Sequence, residues 1–584
     1  MASQSGAQTA ATNDSYAVSV GHDIAAGISA NVLEAGGNAV DAGVAASIAL
    51  TVLHSEQVQF GGVAPILVYI AGENRYFSIE GAGRWPASAT PDYFREKHRG
   101  RIPQGVLRTV VPAAPDAWLT ALARFGTMGF ADLAAPAQAL AADGFPAHDD
   151  LVSCSTQFER YYRRISDDNA RIWLPNDAPV KPRQIFRLPD LANTIGILID
   201  ADRKASLKSG RAAGLQAVHD AFYKGEIADA MIRHVQACDG WLTHADLAAH
   251  RTPVVEATGA DVFGGRLYTP GSWTQGPALS QALQILEATD ISLHPRQSAE
   301  ACHVMIEALK LALVDREAYY GDPDFIDVPM EALLSPAYAA TRATLIDSAA
   351  AIQPLPPAGD VAERSTTTPS PATAPEEEAV SLDTSVAAVI DGAGNIFAST
   401  PSDPSFDGPV VPELGFVIST RGAQSYVDAE HPACLEAGKR PRVSAYPMIF
   451  RDANGRHIAG GGPGADLQLQ AMVQVLTYHL AYDLSLTDAT IAPRVFTHGV
   501  PASTEPHLSF AGKVVIEDEL PEAMLTDLTA LGHKASHGKA SGIAKPSICL
   551  VASNQDGTLE AVGDPRRASG QRLKHGSSNG KAVG

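Results

Sequence analysis

Apolar residues recur at helical spacing over long stretches of this chain and alternate with polar ones over short stretches, and the two patterns follow each other in blocks. Ala17-Val-Ser-Val20 reads as a short strand, followed by an Ala-rich helix from Ala25 to Ala35. A turn at Gly36-Gly37-Asn38 leads into a second apolar helix from Ala39 to about Leu53. Strand alternation returns at Ile66 to Ile70 and at Tyr76 to Ile79. From Pro112 to about Arg342 the pattern is mainly helical: Asp116 to Phe125, Leu133 to Ala142, Gly214 to Tyr223, Ala228 to Cys238, Pro277 to Thr289 and Ala299 to Tyr320. Two β-like breaks interrupt it, at Val254 to Thr258 and Arg266 to Tyr268.

Periodicity then stops. Gln353 to Glu378 is rich in Pro, Ser, Thr, Ala and Glu, buries little apolar surface, and is expected to be a mobile, exposed linker. Beyond it, Ser385 to Asp391 and Asn395 to Thr400 read as two short strands joined by the Gly392-Ala-Gly394 turn. Strand signals recur at Phe416 to Ser419 and His457 to Ala459. A long helix from Asp466 to Tyr482 presents Leu467, Leu469, Met472, Val473, Val475 and Leu476 for burial. Strands before and after packed helices predict a layered α/β body, and no repeat of fixed period points to a solenoid.

Composition narrows the class of function. At 584 residues the chain can form two or more domains or one large layered body. Its 44 basic against 65 acidic residues give a net charge of -21, which repels a phosphate backbone, so nucleic acid is not an expected partner. No stretch approaches the roughly 18 uninterrupted apolar residues of a membrane span. The first residues carry neither a basic start nor an apolar run, so a cytoplasmic protein is expected. The five cysteines are scattered and lack CxxC spacing, and there is no HExxH motif. Neither a metal nor a cofactor is therefore expected. Gly576-Ser-Ser-Asn-Gly580 fits the G-x-S-x-G elbow of serine hydrolases, but it sits in a polar tail with no strand before it or helix after it, and reads as chance.

Candidate chemistry lies at Asp383-Thr384, between the linker and the first strand of the second block. A threonine hydroxyl is a poor nucleophile in mid-chain. A threonine freed at a chain start has its own α-amine, which ordinarily titrates near about pH 8, to accept the hydroxyl proton. On this reading Thr384 opens a strand at the edge of a packed sheet, and cleavage before it creates the nucleophile.

Motifs elsewhere support that reading. Ala35-Gly-Gly-Asn-Ala-Val-Asp-Ala42, Gly61-Gly62, Val111-Pro112 ahead of Asp116-Ala-Trp118, Asp383-Thr384, Gly415-Phe416, Gly438-Lys-Arg-Pro441 and Gly460-Gly-Gly-Pro-Gly464 occur in that order. Together they resemble the γ-glutamyltransferase family over nearly the whole chain. The resemblance implies an N-terminal-nucleophile hydrolase: a four-layer αββα sandwich made as one precursor and cut by itself into residues 1–383 and 384–584, which stay together as a heterodimer. It implies Thr384 as the nucleophile, which attacks an amide carbonyl of a small-molecule substrate to form an acyl-enzyme. Thr400 and Ser402 match hydroxyl positions that support the nucleophile. Backbone N–H groups near Gly464 and Ala465, just ahead of a helix, match an oxyanion hole.

The amino-acid-binding part of the family pattern is altered. Ala82 stands where an arginine holds the substrate carboxylate, with Arg84 two residues on. Pro404 replaces an asparagine, Arg421 a glutamine or glutamate, and Gln424 an aspartate. Of two adjacent serines Val443 replaces the first and Ser444 retains the second. An α-ammonium would therefore meet an arginine in place of a carboxylate. The expected activity is that of an amidohydrolase or acyltransferase releasing an acyl group without an α-ammonium. A short dicarboxylic acyl anchored by Arg421, with Arg84 or Arg442 as further anchors, would suit the site. The alternatives are an authentic γ-glutamyl hydrolase or transpeptidase, a hydrolase of an activated carbon–carbon bond beside a carbonyl, and a non-catalytic relic.

Overall fold

A computed structural model describes residues 15–361, 384–538, 546–554 and 556–575. Two antiparallel sheets form its centre. The first has seven strands in the order Gly570–Lys574, Tyr16–Val20, Ala387–Ile390, Ile396–Ser399, Ile66–Ile70, Arg75–Ile79, Val254–Glu256. The second has six, in the order Leu559–Gly563, Cys549–Ser553, His457–Gly461, Met448–Arg451, Gly265–Thr269, Thr258–Val262.

Period-two alternation divides each strand between two apolar regions. Ala388, Ile390, Ile396, Ala398 and Leu67 from the first sheet pack with Ile449, Ala459 and Val551 from the second. The alternate residues Ala387, Val389, Phe397, Ile66 and Val68 face the helices Asp23–Glu34, Ala39–Leu53 and Ala114–Phe125. On the second sheet Leu267, Met448, Phe450, Ile458 and Leu550 pack with helices Gly276–Ala288, Ala299–Tyr319 and Asp466–Leu480. Strands buried on both faces explain why their sequence is almost wholly apolar. Among the described residues no helix is long and apolar enough to cross a membrane.

The Gly-Gly-Asn-Ala-Val-Asp-Ala signature serves the scaffold. Asn38 Oδ1 accepts the backbone N–H groups of Val40 and Asp41 at 2.9 and 3.0 Å, and Asp41 Oδ2 accepts that of Asn38 at 3.0 Å, closing a capping box on helix Ala39–Leu53. The Ala387–Ile390 and Ile396–Ser399 hairpin matches the sequence reading, with Ile390 opposite Ile396. Its turn is tied by Asp391 Oδ1, which accepts Ala393 N and Asn395 N at 2.9 Å each.

Two expectations change. The strand after Thr384 is interior, because Tyr16–Val20 pairs with its other side. The start of the expected linker is anchored: Gly359 N donates to Asp315 Oδ1 at 2.9 Å, Arg342 Nη2 to the Pro357 carbonyl at 3.1 Å, and Gln353 Nε2 to the Gly532 carbonyl at 2.6 Å. Backbone polar groups there found buried partners that composition does not reveal. Residues 362–383, including Asp383, and the Gly576 to Gly580 motif lie outside the described residues.

Candidate active site

Thr384 is buried three residues before the hairpin strand and forms an isolated antiparallel bridge with Ser402. Its Oγ1 lies 2.9 Å from Ser402 Oγ. The bridge is held on both sides. Ser385 N donates to the Pro401 carbonyl at 3.0 Å, and Ser402 N to the Val63 carbonyl at 3.0 Å. Gly62 permits this approach, since a Cβ there would stand 2.3 Å from the Ser402 carbonyl oxygen. On the far side of Thr384, Ser385 Oγ lies 3.0 Å from His54 Nδ1. Thr400, at the end of the second hairpin strand, is fully buried, with no hydrogen-bond partner for its Oγ1 among the described residues.

Arg421 opens a short 3₁₀ turn, Arg421–Gln424, and its side chain is fully buried. Its Nη2 donates to Ser402 Oγ, the hydroxyl that meets Thr384 Oγ1. Its Nη1 donates to Gln424 Oε1 at 3.1 Å, and its Nε pairs with Asp403 Oδ1 at 2.9 Å. Asp403 adopts a strained φ of 118° and accepts from Ser419 Oγ at 2.8 Å. Burial raises its carboxyl above the usual range, with the Arg421 guanidinium pulling the other way.

Gln424 carries the network onward. Its Nε2 donates to Ser444 Oγ at 2.9 Å and to Thr504 Oγ1 at 3.3 Å, and its Oε1 accepts from Ser444 N at 3.2 Å. Gln275 Nε2 then spans the Ser444 carbonyl at 2.8 Å and the Ala465 carbonyl at 3.1 Å. Gly464 and Ala465 turn the chain into helix Asp466–Leu480 with φ of 115° and 49°. Only glycine takes the first of these readily; the second is strain held by the surrounding bonds. A cavity of about 200 Å³ abuts this turn and reaches Thr504.

Structure thus joins Thr384, Ser402, Arg421, Gln424, Ser444 and the Gly464–Ala465 turn in one bonded set. Arg84 stands apart. Its Nη1 pairs with Asp322 at 3.1 Å and its Nη2 with Asp324. Arg442 pairs with Glu317 at 2.8 Å. Although burial opposes it, Arg442 and Arg316 hold Glu317 well below the usual carboxylate range. All three arginines expected to anchor a substrate carboxylate therefore have protein carboxylates as partners. Sequence reasoning missed Asp403, which sits beside Ser402, and also Gln275 and Thr504, whose role depends on contacts across the fold.

Folding also assembles two groups of potential metal ligands that the sequence spacing hid: His54, Glu56 and His148, and His303, Glu307 and His533. Their donors are engaged within the protein. His303 Nδ1 lies 2.8 Å from His533 Nε2, Lys310 Nζ is 2.7 Å from Glu307, and His148 Nε2 is 2.7 Å from the Leu53 carbonyl. A lysine on the carboxylate and a filled imidazole pair fit a cation poorly.

Comparison with known proteins gives a consistent picture. The sequence pattern described as Gamma-glutamyltranspeptidase matches residues 25–573. The chain is 30% identical to an Acylase ACY 1 proenzyme of Pseudomonas sp. (strain SE83), over 95% of this chain and 94% of that one. It is 27% identical to a Glutathione hydrolase proenzyme of Bacillus subtilis (strain 168), over 97% and 91%. Its structure is similar to that of a cephalosporin acylase from Bacillus halodurans, with a TM-score of 0.78 at 25% identity, covering 98% of this chain and 99% of that one.

Proposed function

Because the chain belongs to the gamma-glutamyltranspeptidase family and is one of its enzymes, we propose that it is an autoprocessed N-terminal threonine acylase whose substrate acyl group lacks an α-ammonium. The observation that carries this reading is the buried line Thr384–Ser402–Arg421–Asp403, which places a guanidinium one hydroxyl away from the nucleophile. The two sheets with helices outside them support a four-layer αββα sandwich, and proenzyme relatives support a cut before Thr384 into two chains that stay associated.

In processing, Thr384 Oγ attacks the preceding carbonyl carbon, the peptide C–N bond breaks, and water hydrolyses the resulting ester to leave a free α-amine. In turnover that amine takes the hydroxyl proton as Oγ attacks the substrate carbonyl carbon. The C–N bond of the amide breaks and the proton passes to the leaving nitrogen. Water then attacks the acyl-threonine ester, releasing the acid and restoring the hydroxyl. Ser402 donates to the developing negative charge on Oγ, its own oxygen being polarised by Arg421. The Gly464–Ala465 amides, at the positive end of helix Asp466–Leu480, are assigned to the carbonyl oxygen. Thr400 Oγ1, buried and without a hydrogen-bond partner among the described residues, is assigned to the freed amine.

Specificity follows from charge. An α-ammonium placed on the Gln424–Ser444 wall would be desolvated beside Arg421, whose carboxylate partner is already engaged. A panel of anilides tests this. Glutaryl, butyryl and γ-glutamyl anilides should be turned over with the two des-amino compounds ahead in kcat/KM. A wild-type preference for the γ-glutamyl compound would replace this reading with a γ-glutamyl hydrolase or transpeptidase.

A further inference from the structure

The cavity against the Gly464–Ala465 turn has a chemistry of its own. Leu313, Leu467, Val500, Pro501, Leu508 and Phe510 line most of it. The one guanidinium on its wall among the described residues, Arg316, is tied to Asp466 at 2.5 Å and to Glu317 at 2.8 Å. Glu505, at the same wall, is paired with Arg101. The cavity therefore offers mainly apolar surface, with its charged groups already paired within the protein.

Its position links it to the reaction. Gly464 and Ala465, assigned above to the carbonyl oxygen, form one wall. Thr504 forms another and accepts from Gln424 Nε2 at 3.3 Å, on the side of the site assigned to the acyl group. Gln424, bonded to Ser444 on one side and Thr504 on the other, stands between the cavity and the Thr384 side of the site. The volume of about 200 Å³ is above the roughly 150 Å³ that suffices for benzene in an engineered apolar cavity. It falls short of the roughly 300 Å³ at which drug-sized pockets begin.

We propose that this cavity is the acyl-side pocket and that it takes one uncharged ring-sized group, so that the favoured substrates are amides of arylacetic or similar apolar acids. The proposal rests on the assignment of Thr384 and the Gly464–Ala465 turn as nucleophile and oxyanion site. Charged acyl ends are disfavoured because Arg316 and Glu505 already have partners and the apolar wall cannot neutralise them.

Two measurements on the processed two-chain protein test it. First, phenylacetyl anilide is compared with acetyl anilide in kcat/KM. Transferring a phenyl group into apolar surroundings is worth about tenfold to a hundredfold, so the ratio should be at least about ten in wild type. In Leu508→Trp and Val500→Phe, each of which fills the cavity, it should fall to about three or less. Chain cleavage on a denaturing gel and an unchanged far-ultraviolet spectrum establish that each variant has folded. A wild-type ratio near one, with acetyl anilide still turned over, would overturn the pocket and leave the acylase reading intact. Second, phenylacetate binding is followed by calorimetry, which needs no turnover. Binding at least about tenfold tighter than acetate, and lost in Leu508→Trp, supports the pocket even if every anilide is inert. Equal binding of the two acids, or binding that survives the filled cavity, refutes it.

Discussion

Asp403→Ala removes the carboxylate paired with Arg421 in the bonded line to Thr384, while both partners are fully buried. Breaking a buried pair by deleting one member costs about 3–5 kcal/mol, because the other charge stays in place without its counterion. The two halves of this pair are not equivalent. Arginine keeps its proton in proteins, whereas burial has already raised the Asp403 carboxyl, so Asp403 can escape by taking a proton when Arg421 is removed. Asp403→Ala should therefore cost the full amount and Arg421→Met less, about 1–3 kcal/mol. Unfolding entropy of about 2.1 cal/mol/K per residue gives roughly 1.2 kcal/mol/K for the whole chain, so 3–5 kcal/mol lowers Tm by about 2.5–4 °C. The assay is differential scanning calorimetry of both single variants and the double variant on a Thr384→Ala background, which keeps one chain. The double variant should be less destabilised than the sum by at least about 1 kcal/mol. The pH trends also differ. In Arg421→Met the folded carboxyl pKa lies above its unfolded value, so stability is complete below the unfolded pKa and is lost as pH rises through the folded one. That variant should weaken with rising pH and Asp403→Ala should not. Additive effects, or an Arg421→Met more damaging than Asp403→Ala, would refute the reasoning.

Self-cleavage before Thr384 should convert the 61.1 kDa chain into pieces of about 40 and about 21 kDa on a denaturing gel, and Thr384→Ala should stay whole and inactive; an active wild type that remains a single chain contradicts the mechanism. Gly62→Ala sets a methyl 2.3 Å from the Ser402 carbonyl oxygen and should cost about 1–3 kcal/mol with slower processing, read as Tm and as the half-time of cleavage; unchanged values would show that the loop yields freely. Burial pulls His250 and His457 down to about 4 and His533 to about 3. Those folded values lie below the roughly 6.5 of an unfolded histidine, so their stabilisation is present above about pH 6.5 and lost as pH falls toward them. Tm should drop on acidification, and His457→Gln should flatten the slope; the same slope in the variant would acquit His457.

Much of the scaffold was legible because its signals are local. The Ala387–Ile390 and Ile396–Ser399 hairpin, the turn ahead of helix Ala39–Leu53 and helix Asp466–Leu480 follow from alternation, turn residues and apolar spacing within each segment. Helix Pro189–Ser209 is hidden in the sequence, since its buried Leu191, Ile195, Leu198 and Ile199 share the stripe with buried Thr194 and Asp202. The closeness of Thr384 and Ser402 follows from the hairpin that separates them, but the setting of Arg421 was not legible. Its charge reads from sequence as a vacant anchor, and only the fold shows that Asp403 already occupies it. Gln275, joining Ser444 to Ala465 across the site, carries no sequence signal at all.

If the chain is cut before Thr384 as proposed, the strand order governs what becomes of the two pieces. Tyr16–Val20, from before the cut, is sandwiched between Gly570–Lys574 and Ala387–Ile390, from after it. Ile66–Ile70 and Gly265–Thr269 likewise pair with Ile396–Ser399 and Met448–Arg451. Nicking the backbone therefore liberates a chain end without liberating a subunit. The pieces are woven through each other, so dilution cannot part them and mixed populations should exchange no halves short of complete denaturation. Once that happens the route back is no longer the one first taken: a folding reaction that was intramolecular in the precursor becomes an encounter between two strangers, slower at low concentration and open to aggregation. Under the proposed cut, maturation would work like a ratchet, with the catalyst made once, from one chain, and not remade from its parts.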